Sequence, residues 1–333
     1  MEDRQETAIA RYGLAVRKRC RLRGGWMLDT NTGPKLLREY ENIRSHFFLE
    51  NSIKDYLIEN GFRRVDSVVP NEEGRLVTEL ETGEKYVMYH WFSGEECDLK
   101  SNTCLAAAGE NLGRLHLALN GFEQAKGEGY PGAREGQEDL LELFHRHNRE
   151  LRRVNSYMKN KKRKTEFEIY AINCFEDYYE KACEAADKLE NCNYYNRVKE
   201  EMNDICHGDY NYHNLIISGQ GTATTGFEKS GYGLQLLDLT YFMRKTLEKN
   251  EWNKSAGEAV LISYDKVNTL SSEQMEFIYI MLMYPEKYWK LMNHYFNKKK
   301  SWLSAKSLEK LKDVKSLEKK REKFLDAFTT KYS

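Results

Sequence analysis

The chain has 333 residues and a formal net charge of zero, with 52 Lys plus Arg against 52 Asp plus Glu. That balance excludes a global pull toward nucleic acid or an acidic membrane and leaves any such binding to local patches. Four prolines and 31% charged residues suit a helix-rich folded chain, not a disordered one.

The length allows two lobes with a substantial core. The seven cysteines are an odd number with no CxxC pair and no zinc-like spacing, which predicts reduced thiols in a cytosolic protein. Met1-Glu2-Asp3-Arg4-Gln5 opens charged, and nowhere do eighteen apolar residues run together. Cytoplasmic synthesis, no membrane insertion and no nucleic-acid partner are therefore expected.

The first ninety-odd residues are punctuated like strands. Segments 20–28 and 36–40 flank the polar loop Asp29-Thr30-Asn31-Thr32-Gly33, which predicts a hairpin, and 75–80 and 86–92 flank Glu81-Thr82-Gly83-Glu84 as a second. Between them Phe47, Ile53, Leu57 and Ile58, closed by Asn60-Gly61, predict a helix. The order strand, strand, helix, strand, strand makes a small α+β lobe.

After Trp91-Phe92-Ser93-Gly94 the pattern turns helical. Leu105, Ala108, Leu112, Leu115 and Leu119 form an apolar stripe ending at Asn120-Gly121, with His116 on it as a core histidine. The stretch 125–137 carries four glycines without phosphate-cradling spacing. Segments 139–158 and 167–189 predict two helices around the basic run 159–164, which lacks interleaved aromatics and reads as a solvated corner. Tyr178, Tyr179, Tyr194 and Tyr195 could line a cage for a cationic amine or simply pack between helices. Further helices are expected over 239–247, 273–283, 286–296 and 308–328.

One stretch carries chemistry. In His207-Gly208-Asp209-Tyr210-Asn211-Tyr212-His213-Asn214 an Asp that can accept a hydroxyl proton precedes an Asn that can hold a metal, and the buried run Leu215-Ile216-Ile217 pins the far end. The layout, α+β with a small β-rich lobe (1–93) and a larger helical lobe (94–333) carrying H-G-D-x4-N, resembles protein-kinase-like phosphotransferases of the aminoglycoside phosphotransferase and choline kinase branch. That resemblance implies Asp209 as catalytic base or substrate-orienting carboxylate, His207 as the residue bracing it, and Asn214 as a magnesium ligand. Asp238 then anchors the loop, with helix N-capping as the physical alternative.

Gly94-Glu95-Glu96-Cys97-Asp98-Leu99, Leu237-Asp238-Leu239-Thr240-Tyr241-Phe242-Met243-Arg244-Lys245, Tyr284-Pro285-Glu286-Lys287-Tyr288-Trp289-Lys290 and Lys300-Ser301-Trp302 resemble the CotS family of bacterial spore coat proteins. That likeness implies a place in the spore coat, with other coat proteins as partners.

The sequence also departs from the kinase pattern. Gly226 stands where the pattern places a second metal carboxylate, and Glu228, on the same side of an extended strand, is the candidate substitute. Arg38 stands where a phosphate-binding Lys is usual, with Lys35 on the opposite strand face and Glu50 as the helix carboxylate that would pair with Arg38. Between the first strands, Asn31-Thr32-Gly33 supplies one glycine and no Gly-rich phosphate loop. Three readings follow: a degenerate kinase-fold structural or interaction component of the coat; an active ATP- and magnesium-dependent kinase of a small hydroxyl-bearing substrate; or a pseudokinase that binds ATP without turnover.

Overall fold

The computed structural model describes residues 4–22, 24–122, 139–199, 204–297 and 305–332. The Gly-rich stretch 125–137 and the Lys300-Ser301-Trp302 segment lie outside the described residues. The chain divides into two compact units: unit one comprises Met1–Glu135, Asn203–Phe242 and Ala259–Asn268, and unit two Gly136–Met202, Met243–Glu258 and Thr269–Ser333.

Unit one is built on an antiparallel sheet in the order β1 (Val16–Leu22), β2 (Gly25–Thr30), β3 (Gly33–Tyr40), β6 (Lys85–His90), β4 (Val68–Val69), with β5 (Thr78–Glu79) also on β6. Here the sequence expectation needs correcting: 20–28 is not one strand but parts of two. Leu22 pairs with Gly25, and Gly24 takes φ +66, a conformation glycine adopts without penalty. The first turn therefore carries two adjacent glycines. A Cβ on Gly25 would lie 2.5 Å from the Leu37 carbonyl oxygen, so only glycine lets β2 approach β3 this closely.

Strand alternation gives this sheet two covered faces. Leu28, Leu37, Tyr86 and Met88 pack with Ala8, Ile9 and Tyr12 from and after α1 (Arg4–Ala10), while Leu36, Val87 and Tyr89 pack with Phe47 of α2 (His46–Glu59). Fully burying each such side chain contributes roughly 1.5–3 kcal/mol. Arg38 follows Leu36 by two residues and shares its face; Lys35 lies on the other, with Nζ donating to the Thr32 carbonyl at 2.9 Å.

α3 (Asn102–Leu119) begins where the Ser101 side chain accepts the Cys104 N–H and ends at Asn120, before Gly121 at φ +79. His116 is a core residue as expected, fully buried with Nδ1 2.8 Å from the Tyr264 hydroxyl. A second small sheet orders β10 (Gly221–Thr224), β9 (Leu215–Ser218) and β7 (Glu95–Glu96). β8 (Ile205–Cys206) pairs with β11 (Gly231–Tyr232).

Unit two is helical. α4 (Leu140–Lys159) is capped by Asp139, and α5 (Glu166–Glu190) by a reciprocal Thr165–Glu168 capping box. The basic run turns between them, with Lys161 paired to Glu168. Short α6 (Asn193–Val198) follows. Tyr178 stacks on Tyr288 at 4.2 Å and Tyr179 on Phe175 at 5.1 Å, while Tyr194 and Tyr195 pack on Phe277, so these tyrosines serve packing.

α7 (Gln235–Lys249), α8 (Lys254–Asp265), α9 (Ser272–Met283), α10 (Glu286–Asn297) and α11 (Ala305–Tyr332) follow in order. The carbonyls ending α9 are capped by arginines: Arg244 donates to Met281, and Arg321 to Leu282 and Met283.

Candidate functional site

All the loop residues and their partners lie in unit one. His207 is fully buried. Its Nδ1 lies 3.2 Å from the Asp209 backbone N–H and its Nε2 3.1 Å from the Thr225 carbonyl. An N–H can only donate and a carbonyl only accept, so the ring is the neutral tautomer protonated on Nε2. Burial pulls its pKa below the ordinary value and keeps it neutral.

The Asp238 carboxylate, in the first turn of α7, accepts the N–H groups of His207 at 2.7 Å and Gly208 at 2.9 Å. It thus anchors the loop, as the resemblance implies. Gly208 sits at φ +75, and a Cβ there would lie 2.2 Å from the Lys229 carbonyl oxygen.

Asp209 is partly exposed, with Oδ2 3.3 Å from Lys229 Nζ. Its carbonyl accepts the side-chain amides of Asn211 at 3.0 Å and Asn214 at 2.9 Å. Asn214 closes a 3-10 turn (Tyr212–Asn214) that leads into β9.

Beyond β10, the extended strand on which Gly226 and Glu228 were expected to share a side ends at Thr224. Gly226 has φ +79, and the backbone turns at Glu228 and Lys229. A Cβ on Gly226 would lie 2.8 Å from the amide atoms of Asn214. The alternation that would have aligned Glu228 with Gly226 is therefore lost.

Glu228 pairs instead with Arg38, whose guanidinium lies over the Tyr89 ring at 5.6 Å. Burial pushes the Glu228 carboxyl up, but Arg38 and Lys54 outweigh it and hold it below the usual glutamate value. Glu50 was expected to pair with Arg38; it pairs with Lys54 at 2.5 Å, one turn along α2.

The sequence of the family described as "Spore coat putative kinase YutH" matches residues 5–328. This chain belongs to that family. No curated protein matches the chain in sequence. Among solved structures, the chain is similar to an aminoglycoside phosphotransferase from Alicyclobacillus acidocaldarius, at TM-score 0.86 and 17% identity over 98% of this chain and 96% of that one. It is also similar to spectinomycin phosphotransferase APH(9)-Ia, solved with ADP and spectinomycin (TM-score 0.58, 12% identity, 97% and 98% covered). A third is amicoumacin kinase hAmiN, solved with AMP-PNP and Ca²⁺ (TM-score 0.58, 13% identity, 98% and 94% covered). At these identities the likeness shows the fold: α+β and protein-kinase-like, with an N-terminal antiparallel sheet and a larger helical part, as the sequence implied. Among the described residues no helix is long and apolar enough to cross a membrane.

Within the YutH-family chain, the narrower motifs do structural jobs. Gly94 takes φ +149 where a Cβ would lie 2.5 Å from the Ile217 carbonyl oxygen. Glu96 reaches His213 Nδ1 at 2.6 Å, and the Cys97 N–H donates to the Leu215 carbonyl at 3.0 Å, so this motif braces the far end of the loop. In unit two, Arg244 of the Tyr-Phe-Met-Arg-Lys piece pairs with Glu286 of the Tyr-Pro-Glu-Lys piece, and Lys287 lies 3.7 Å from Glu248.

Two residues at this site were missed from sequence. Lys54 is fully buried, with Nζ 2.5 Å from Glu50 and 3.1 Å from Asp66. Asp66 is also buried, and its other oxygen accepts the Gly226 N–H at 3.0 Å. Burial opposes the Lys54 charge, but the Asp66 and Glu50 carboxylates outweigh it and raise its pKa. The signal was present: Phe47, Glu50, Ile53, Lys54 and Leu57 recur at helical spacing, so two charges lie on the apolar face where they require each other.

Proposed function

We propose that this chain is a kinase-fold spore coat protein whose phosphoryl-transfer site is degenerate and whose role in coat assembly is structural or interactive. The observation that carries this reading is Gly226: the place of a metal carboxylate is held by a residue at φ +79, and the Asn214 amide fills the space a side chain would need. Phosphoryl transfer relies almost wholly on positioning and charge neutralisation, and losing one such electrostatic contribution costs on the order of a hundredfold in rate or more.

The residues present do not fit a bound magnesium ion. Asn214 could offer only its neutral Oδ1, since its amide N–H donates to the Asp209 carbonyl, Glu228 is held by Arg38, and no carboxylate stands at 226. Among the described residues no group of three or more His, Cys, Asp or Glu side chains could hold a metal ion. Other charges here already have partners: Arg38 pairs with Glu228, Asp209 with Lys229, and Lys54 sits between Glu50 and Asp66.

A second reading, an ATP-dependent kinase of a small hydroxyl-bearing substrate, is favoured by the braced loop that presents Asp209. ATP loss against a panel of amino-alcohols with magnesium separates the two. The coat reading expects no turnover; turnover abolished by Asp209→Asn would overturn it. A magnesium-ATP thermal shift without turnover marks a protein that holds nucleotide and does not spend it.

A further inference from the structure

Unit one contains a cavity of about 480 Å³ apart from the Asp209 loop, walled by the end of α2, by α3 and by the β9–β10 turn. Arg63, Arg64 and Arg114 line it, against one carboxylate, Glu110. Glu110 is already taken by Arg114 one helical turn away, an exposed pair worth little.

Arg64 is the informative group. Its guanidinium is half-buried, lies over the Phe92 ring at 5.0 Å, and donates to the Gln220 side-chain oxygen at 3.1 Å and the Ser218 hydroxyl at 3.3 Å. Both acceptors are neutral, and its buried Nε–H has no partner. A half-buried cation met by neutral oxygens alone keeps its charge available to an anion entering the cavity.

The C-terminal end of α2, which would ordinarily repel negative charge, presents capped carbonyls to the cavity. The α2 carbonyls of Tyr56, Leu57 and Ile58 are capped by the N–H groups of Asn60, Phe62 and Gly61. Gly61 and Gly221, at the rim, have open space where a Cβ would stand.

We propose that this cavity is a docking site for an acidic peptide segment of a protein partner, with Arg64 taking one carboxylate and Arg63 and Arg114 the neighbouring ones. Guanidinium forks bind carboxylates in two-bond pairs, and three around one open cavity suit side chains spaced along a chain. The inference goes beyond the reading of the Asp209 loop, which contributes no residue to this cavity.

Fluorescence anisotropy of a labelled hexaglutamate peptide on the full chain tests it, with hexaglutamine as the neutral control. Hexaglutamate should bind, more weakly as salt rises, and hexaglutamine should not. Arg63→Ser/Arg114→Ser, both at exposed positions, should weaken binding about tenfold or more, and Arg64→Gln should do the same. A thermal melt confirms that each variant folds. Unchanged affinity in the exposed double variant overturns the proposal, as does equal binding of hexaglutamine. Inorganic phosphate displacing the peptide at equal concentration would mark a simple anion site and also overturn it. Loss of binding in Arg17→Ser/Lys18→Ser, on strand β1, would move the site elsewhere and count equally against it.

Discussion

Arg38 on β3 and Glu228, 190 residues later, meet as an ion pair. The cation that the sequence resemblance sets against a nucleotide phosphate is thereby paired with the carboxylate that the sequence offered as a substitute metal ligand. Each has a partner of the kind it would otherwise seek in ligand.

Glu228→Gln should release the Arg38 charge while keeping the shape of the side chain. Glu228 is partly exposed, and pairs of that kind are worth about 0.2–1 kcal/mol. ADP affinity, measured by calorimetry without magnesium, should therefore rise up to about fivefold. A fall in affinity would mean that Glu228 serves the ligand directly.

Gly226→Asp looks from sequence like a repair, but the backbone makes it an injury. At φ +79 a side-chain-bearing residue costs roughly 1–2 kcal/mol, and the new Cβ would also press on Asn214 at 2.8 Å. The expected result is a lower urea midpoint and no ATP turnover. Gly226→Ala isolates the backbone part, and a gain of turnover in Gly226→Asp would refute this account.

Lys54→Met should be among the most damaging single changes in unit one. It leaves Glu50 and Asp66 buried without their cation, a situation that typically costs about 3–5 kcal/mol. Adding Glu50→Gln and Asp66→Asn removes the stranded charges and should recover most of the loss. Chemical denaturation of the single and triple variants checks both statements.

Long elements with strong periodicity were legible in the sequence. α2, α3, α4 and α5 fall within a few residues of where their apolar stripes and the stops at Asn60-Gly61 and Asn120-Gly121 place them, because periodicity and helix ends are local signals. α1, α6 and α8 were missed: the first two are short, and α8 follows a turn in which Glu251 and Trp252 take positive φ. The β1–β2 hairpin was hidden because apolar Leu22 and Trp26 on either side of its glycines read as one run. Within the site, the H-G-D-x4-N loop was plain because its brace is local, from His207 to Asp209. The pairings of Arg38 with Glu228 and of Lys54 with Asp66 depend on tertiary contact, which no spacing in sequence encodes.

His147 in unit two makes the acid response of the fold testable. Its ring stacks on Trp289 at 3.4 Å and is buried. Burial, with Arg146 and Lys290 nearby, pulls its pKa from 6.5 to about 4. The unfolded chain thus takes up a proton below about pH 6.5 that the folded chain refuses until about pH 4, and stability falls as pH drops through that window. His207, lowered by its own burial, acts with the same sign. The depressed carboxylates Glu168, Glu228 and Glu318 add their loss only as pH falls below the ordinary glutamate value of 4.5. Between pH 6.5 and 5, His147→Phe, which keeps an aromatic ring against Trp289, should therefore flatten the slope of urea-derived stability by up to about 1.4 kcal/mol per pH unit. A slope identical to the parent protein's would show that His147 is not held neutral by the fold.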